Sequence, residues 1–221
     1  QSLFMRSRLI LLISLCLTVC SLSAQNFIAP PDALPFVGLS SCSMVFADID
    51  GDQDEDVFMV GFNYQQGIAN LYRNEGGGKF SLVPNTPFIG LWQSSATFVD
   101  IDGDNDQDLL MTGDRDNFDP VTKLYLNDGN GNFSEALETP FEDLFWGSIA
   151  TSDIDGDNDQ DVLIIGENDS LISKAILYTN DGIGNFEAVQ NTSLEGGTYG
   201  DILFLDVDGD GDEDVFTMGD R

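Results

Sequence analysis

The stretch that decides the fold is an acidic nonapeptide that occurs four times. It reads DIDGDQDED at residues 48–56, DIDGDNDQD at 100–108, DIDGDNDQD at 153–161 and DVDGDGDED at 206–214. Their first residues are 52, 53 and 53 positions apart. A fixed period in this range is typical of propellers, solenoids and other repeat arrays. We therefore expect one structural unit to recur along the chain.

Other landmarks keep the same phase as the acidic segments. An apolar run ending in glycine follows each of them, at 57–61, 109–113, 162–166 and 215–219. The first three repeats continue with a Leu-Tyr pair, a glycine-rich turn and a phenylalanine, namely Phe80, Phe133 and Phe186. In the second repeat this pattern predicts strands at about 95–99, 108–112, 123–127 and 132–137. Four short strands per unit, repeated in series, predict an all-β fold made of β-propeller blades.

The acidic segments themselves predict metal binding. Five aspartates in nine residues repel one another unless a counter-ion is present, and a set of hard oxygen ligands suits calcium. We expect the side chains at positions 1, 3, 5 and 9 and the carbonyl at position 7 to converge on one Ca²⁺ per repeat, up to four in all. The predicted ligands are Asp48, Asp50, Asp52, Asp54 and Asp56; Asp100, Asp102, Asp104, Asp106 and Asp108; Asp153, Asp155, Asp157, Asp159 and Asp161; and Asp206, Asp208, Asp210, Asp212 and Asp214.

The acidic segments allow two other interpretations. An EF-hand needs glutamate at position 12 between two helices, but position 12 is occupied by Met59, Met111, Ile164 and Thr217 and the flanks are β-like. A merely solvated acidic turn is the second alternative. Four copies in register favour the calcium sites over it.

Composition excludes several functions. The chain has 39 acidic residues and only 8 Lys and Arg, a formal net charge of -31. This charge excludes a nucleic-acid-binding surface and argues against docking on anionic lipid. Because there is no histidine, Ser-His-Asp and Cys-His catalytic sites within this chain are excluded too. Hydrophobic residues make up 42%, which is enough for a folded core.

The first 24 residues are typical of a secretory signal peptide. Two arginines precede an apolar run at 9–19, and small residues lead to a predicted cleavage after Ala24. A lipoprotein anchored at Cys20 is less favoured, because Val19 stands where a small residue is expected. We expect residues 25–33 to form a linker. We also expect the protein to have no membrane span and to be secreted or held at the cell surface. Cys42 is then the one cysteine left, so we expect no internal disulfide. We expect Cys42 itself to be a small residue of the core.

The repeat resembles a known family. D-x-D-G-D-x-x-x-D, an apolar strand and L-Y-x-N-[DE]-G-x-G-x-F are similar to FG-GAP and VCBS repeats, the blades of integrin-α-like propellers, over residues 34–221. The resemblance implies one calcium ion between the first two strands of each blade and about seven blades. It places repeats at about 34–85, 86–138 and 139–191, with a partial fourth at 192–221. We therefore expect the chain to be a fragment whose remaining blades are missing.

The resemblance also implies a function in adhesion or interaction, with a protein or glycan ligand. The loops at 114–121 and 167–173 differ most between repeats, so they are candidate contact regions. Trp92 and Trp146 are candidates for stacking on a sugar, although packing between blades is favoured for both. The alternative is the non-catalytic or propeller part of a secreted polysaccharide lyase or hydrolase. No catalytic residue is predicted, because each conspicuous aspartate belongs to a repeated metal site.

Overall fold

The computed structural model describes residues 34–220, and all regular structure within them is β-strand. The predicted signal peptide and linker lie outside the described residues. The strands are β1 (Ser40–Ala47), β2 (Asp56–Phe62), β3 (Gly67–Asn74), β4 (Phe80–Leu82), β5 (Trp92–Val99), β6 (Asp108–Asp114), β7 (Pro120–Asn127), β8 (Phe133–Glu135), β9 (Phe145–Ser152), β10 (Asp161–Glu167), β11 (Ser173–Asn180), β12 (Phe186–Ala188), β13 (Thr198–Leu205) and β14 (Asp214–Asp220).

Each repeat forms its own antiparallel sheet with its strands in chain order. The orders are β1-β2-β3-β4, β5-β6-β7-β8 and β9-β10-β11-β12, and β13 pairs with β14. The predicted all-β fold of four-stranded propeller blades is confirmed. In the second repeat all four predicted strands are present, although the first three extend further and the last is shorter, at Phe133–Glu135.

The hydrophobic cores lie between successive blades. One core joins Phe58, Val60 and Leu71 of the first blade to Leu109 and Met111 of the second, and similar cores follow between later blades. A strand between two such cores is buried on both faces. The second strands of the first three repeats are accordingly buried along nearly their whole length, and every residue of β6 is buried.

A repeated group of three aromatic rings explains why the tyrosine and phenylalanine recur at the same positions in each of the first three repeats. In the second repeat Phe88, Tyr125 and Phe133 pack together, with Phe88 about 5.0 Å from Tyr125 and 5.2 Å from Phe133 between ring centroids. Such pairs stabilise a core beyond the area that they bury. The first and third repeats have the same group at the same spacing, made of Phe36, Tyr72 and Phe80, and of Phe141, Tyr178 and Phe186.

Serine side chains connect the first strands of neighbouring blades. Ser43 Oγ accepts a hydrogen bond from the Ala96 amide, and Ser95 Oγ accepts one from the Ile149 amide, each at 3.2 Å. The blades are thus held in register by hydrogen bonds as well as by their cores. Within residues 34–220 no helix is long and apolar enough to cross a membrane.

Cys42 lies near the start of the first of these strands, and its predicted burial is wrong. It is exposed, because its side chain faces an open cavity and not a packed core. It lines a shallow cavity with Gln93, Trp146 and Tyr199.

Candidate metal centres

The four acidic segments occupy the same connection in every repeat, between the first and second strands. The aspartate at position 1 shapes each segment by accepting hydrogen bonds from backbone amides within it. Asp100, for example, accepts from the amides of Gly103 at 2.9 Å and Asn105 at 3.1 Å. The glycine at position 4 has positive φ in all four segments, with a φ of 75° at Gly103. This is why glycine is needed for the tight turn.

The aspartate at position 9 opens the second strand and ties the segment to the rest of its blade. In the second repeat Asp108 is buried, and its two carboxylate oxygens accept hydrogen bonds from the amides of Ile101 at 3.2 Å and Asn127 at 2.7 Å. Asp56 and Asp161 make the equivalent pairs of bonds. One carboxylate therefore fixes both the start of the segment and the end of the third strand.

The folded segments bring three of the predicted ligands of each repeat together. One oxygen from each residue of a triad lies within 4.8 Å of the others. In the first three repeats the triad comes from positions 1, 3 and 9: Asp48, Asp50 and Asp56; Asp100, Asp102 and Asp108; and Asp153, Asp155 and Asp161. In the fourth repeat it is formed by positions 1, 3 and 5, namely Asp206, Asp208 and Asp210.

The remaining predicted ligands lie outside the triads. The side chains at position 5 of the first three repeats, those of Asp52, Asp104 and Asp157, accept hydrogen bonds from the amide two residues later. At position 7 the side chains of Asp106 and Asp159 lie against Gly129 and Gly182 in the glycine-rich turn of the same blade. Whether the position 7 carbonyls of Asp54, Asp106, Asp159 and Asp212 bind an ion stays a prediction. So does a ligand role for Asp214.

The chemistry of the triads fits a divalent cation. The Oδ1 atoms of Asp50 and Asp102 are buried without a hydrogen-bond partner, a costly condition that an ion with oxygen ligands would relieve. Burial raises the pKa of Asp108 to about 7. Burial, together with the charges of Asp104 and Asp100, raises the pKa of Asp102. A bound cation would favour the charged forms of these carboxylates and so remove the cost of keeping them together.

An asparagine ends each third strand and was not predicted as functional. In the second and third repeats it connects its blade to the acidic segment of the preceding blade. Asn127 Nδ2 donates to the Ile49 carbonyl of the preceding blade at 2.9 Å, and Asn180 Nδ2 donates to the Ile101 carbonyl at 2.7 Å. The first and second acidic segments are thus each held by the blade that follows them. The recurrence of Leu-Tyr-x-Asn in register was the signal available in the sequence.

A second feature lies at the other end of the strands, in the loops between the second and third strands. A cleft of about 800 Å³ separates the first two repeats there, lined by Phe62 and Trp92 together with polar side chains that include Gln65, Gln66 and Arg115. Trp92 packs against Phe62, with ring centroids 5.6 Å apart, which agrees with the favoured packing role. The predicted variable loop at 114–121 forms one wall of the cleft.

This wall is ordered by a buried carboxylate. Asp114 is fully buried and accepts hydrogen bonds from the amides of Phe118 at 2.9 Å and Asp119 at 3.0 Å. Asn117 and Phe118 consequently have positive φ, 57° and 67°. Backbone of this kind persists only where surrounding contacts enforce it. The loop therefore presents its side chains from a fixed backbone.

Comparison with protein-family models finds an FG-GAP-like repeat three times, at residues 48–111, 100–164 and 153–217. Each match begins at position 1 of one acidic segment and extends through the next, so the acidic segments and the strands between them carry the similarity. No curated protein matches the chain.

Proposed function

The chain belongs to the FG-GAP-like repeat family, and from that premise we propose that it is a calcium-stabilised β-propeller that acts as an interaction module. The proposed setting is outside the cell or on its surface, and the proposed ligand is a protein or a glycan. The observation that carries the calcium role is the recurrence of the aspartate triad in every repeat, with buried unpartnered oxygens at Asp50 and Asp102.

Calcium would be structural in this proposal. The triads of the first three repeats would hold it through positions 1, 3 and 9, and it would supply positive charge to carboxylates that otherwise repel. Because position 9 is also bonded to the third strand, an ion held there would stiffen the whole blade and not the segment alone. An ion that binds only the folded state adds about 4 kcal/mol per site at a thousandfold excess over its Kd.

The cleft between the first two repeats is the proposed ligand-binding region. It combines the rings of Phe62 and Trp92 with the amides of Gln65 and Gln66 and the guanidinium of Arg115. Aromatic faces beside a few fixed polar groups are the usual lining of a ligand site, and the volume of about 800 Å³ lies in the range of such sites. The fixed backbone of the 115–119 wall reduces the entropy lost on binding.

No catalytic role is proposed for residues 34–220. The carboxylates that lie close together there recur in each repeat, whereas an active site needs one such group. The alternative proposal, a propeller that accompanies the catalytic part of a secreted polysaccharide-degrading enzyme, places the active site outside this chain.

Binding of the full chain to a glycan array and to whole cells, each in calcium and in chelator, tests the interaction role. We expect binding in calcium, lost on Gln65→Ala/Gln66→Ala and retained by Gln190→Ala, an exposed glutamine outside the cleft. No binding to any glycan or cell in calcium would contradict the proposal. Release of reducing sugar from a bound polysaccharide would instead favour an enzymatic role.

A further inference from the structure

The first metal centre differs from the others because an arginine reaches into it. Arg73 on β3 forms an ion pair with Asp50, with Nε 2.9 Å from Oδ2. The same guanidinium donates from Nη2 to the Asn130 carbonyl of the second blade at 3.3 Å. Asp50 is the position 3 member of the first aspartate triad. A cation supplied by the protein therefore already contacts one of the three carboxylates.

The equivalent positions in the next two repeats have no charge. The residue between the Leu-Tyr pair and the asparagine is Arg73 in the first repeat, Leu126 in the second and Thr179 in the third. Neither Leu126 nor Thr179 can neutralise a carboxylate. Asp102, the counterpart of Asp50 in the second repeat, forms no ion pair among residues 34–220 and keeps one buried oxygen without a partner.

The second blade closes over the guanidinium from the other side. Gly131, in the glycine-rich turn of that blade, approaches so closely that a Cβ there would lie 2.9 Å from Arg73 Nη2 and 3.3 Å from Ile49 Cδ1. The side chain of Asp50 is only 13% exposed. Arg73 is consequently held between the first acidic segment and its neighbouring blade, where solvent screens the ion pair less than on an open surface.

We propose that Arg73 is a built-in counter-ion that makes the first metal centre less dependent on calcium than the second and third. This inference rests on the proposed calcium role and assigns the four centres unequal parts in it. The first acidic segment stays folded when calcium is low, because the guanidinium offsets the charge of Asp50. The second and third segments have no such substitute and need the ion.

The same arginine weakens calcium binding at the first centre. Its charge repels the ion, and its Nε lies 2.9 Å from Asp50 Oδ2, close to where an ion bound by that oxygen would lie. A unit charge held a few ångströms from a divalent ion reduces its affinity by at least about tenfold, even with the full dielectric screening of water. Asp50 Oδ1 has no partner, so the first centre retains one free ligand atom at this residue and binds calcium weakly.

Amide hydrogen exchange of the full chain, resolved by peptide and followed against calcium concentration, tests this inference. In chelator, the wild-type amides of 48–56 exchange more slowly than those of 100–108 and 153–161. Arg73→Leu, which installs the residue of the second repeat, speeds exchange at 48–56 in chelator. It also lowers the calcium concentration that protects this segment by at least about tenfold. Arg73→Lys keeps the charge and stays near the wild type.

Thr179→Arg is the reciprocal variant, since it places a guanidinium beside Asp155 in the third repeat. It slows exchange at 153–161 in chelator and raises the calcium concentration needed there. Exchange of the buried strand at 109–113 reports whether each variant is folded. If Arg73→Leu folds but leaves 48–56 unchanged, the inference is overturned while protection of 100–108 by calcium still supports the proposed function. If calcium protects no segment, the proposed function fails instead, and the comparison in chelator still decides whether Arg73 stabilises 48–56.

Discussion

Replacement of Asp108 by alanine separates the structural role of a position 9 aspartate from its predicted role as a ligand. Its carboxylate accepts hydrogen bonds from the buried amides of Ile101 and Asn127, at 3.2 and 2.7 Å. A buried donor left without a partner costs about 1–3 kcal/mol. With two such donors, Asp108→Ala should lower the free energy of unfolding by roughly 2–6 kcal/mol even in chelator.

The assay is denaturant unfolding followed by tryptophan fluorescence, in chelator and in saturating calcium. Asp104→Ala is the matched control, because Asp104 belongs to the same segment but accepts only one exposed hydrogen bond, from Asp106 at 3.0 Å. This control should cost less than about 1 kcal/mol in chelator. Calcium should widen the gap between the wild type and Asp108→Ala, because the variant also lacks a ligand. Equal losses for the two variants in chelator would refute the tethering role of Asp108.

Three further outcomes follow from the contacts described. In chelator, the free energy of unfolding falls as pH rises from about 4 to about 7. Burial raises the pKa of Asp108 to about 7, so the folded state retains a proton that the unfolded state releases. Asp108→Asn reduces this decline, which thermal melts at a series of pH values measure. Gly147→Ala costs about 2–3 kcal/mol of unfolding free energy, since a Cβ there would overlap a carbonyl of the paired strand. Gly38→Ala, where a Cβ meets nothing within 4 Å, is nearly neutral. Asn127→Ala lowers the free energy of unfolding by about 1–3 kcal/mol in denaturant unfolding, because it leaves a carbonyl of the preceding blade unpaired. Asn74→Ala costs less, because the Asn74 side chain donates within its own blade.

A different result would contradict each of these three predictions. Stability in chelator that rises with pH over the same interval would contradict the raised pKa of Asp108. A neutral Gly147→Ala would mean that the strands are further apart than the structure shows. Equal effects of Asn127→Ala and Asn74→Ala would contradict the role of the asparagine as a contact between blades.

The sequence was sufficient to predict the blades because their determinants are local and repeated. The acidic segment, the apolar second strand and the glycine-rich turn each follow from short patterns with known turn and strand preferences. The 53-residue spacing between the later segments then required those patterns to form one recurring unit. The aromatic rings that pack together in each blade, such as Tyr125 and Phe133, belong to the residues that recur at fixed positions in the sequence.

What the sequence did not reveal depends on contacts between blades. Asn127 bonds to a carbonyl 78 residues away, and Arg73 reaches a turn 57 residues away; neither pairing follows from a local pattern. Cys42 likewise faces a cavity lined by residues of other blades, which its local sequence does not show. In the fourth repeat the triad contains Asp210 at position 5 in place of the position 9 aspartate of the other repeats. The sequence of this acidic segment nevertheless matches those of the other repeats closely.

Calorimetric titration of the full chain with calcium, paired with thermal melts in calcium and in chelator, measures whether the aspartate triads bind the ion and whether the ion stabilises the blades. We expect three to four ions per chain, in line with the four aspartate triads, and a large fall in Tm in chelator. No measurable binding, together with the same Tm in calcium and in chelator, would contradict this expectation.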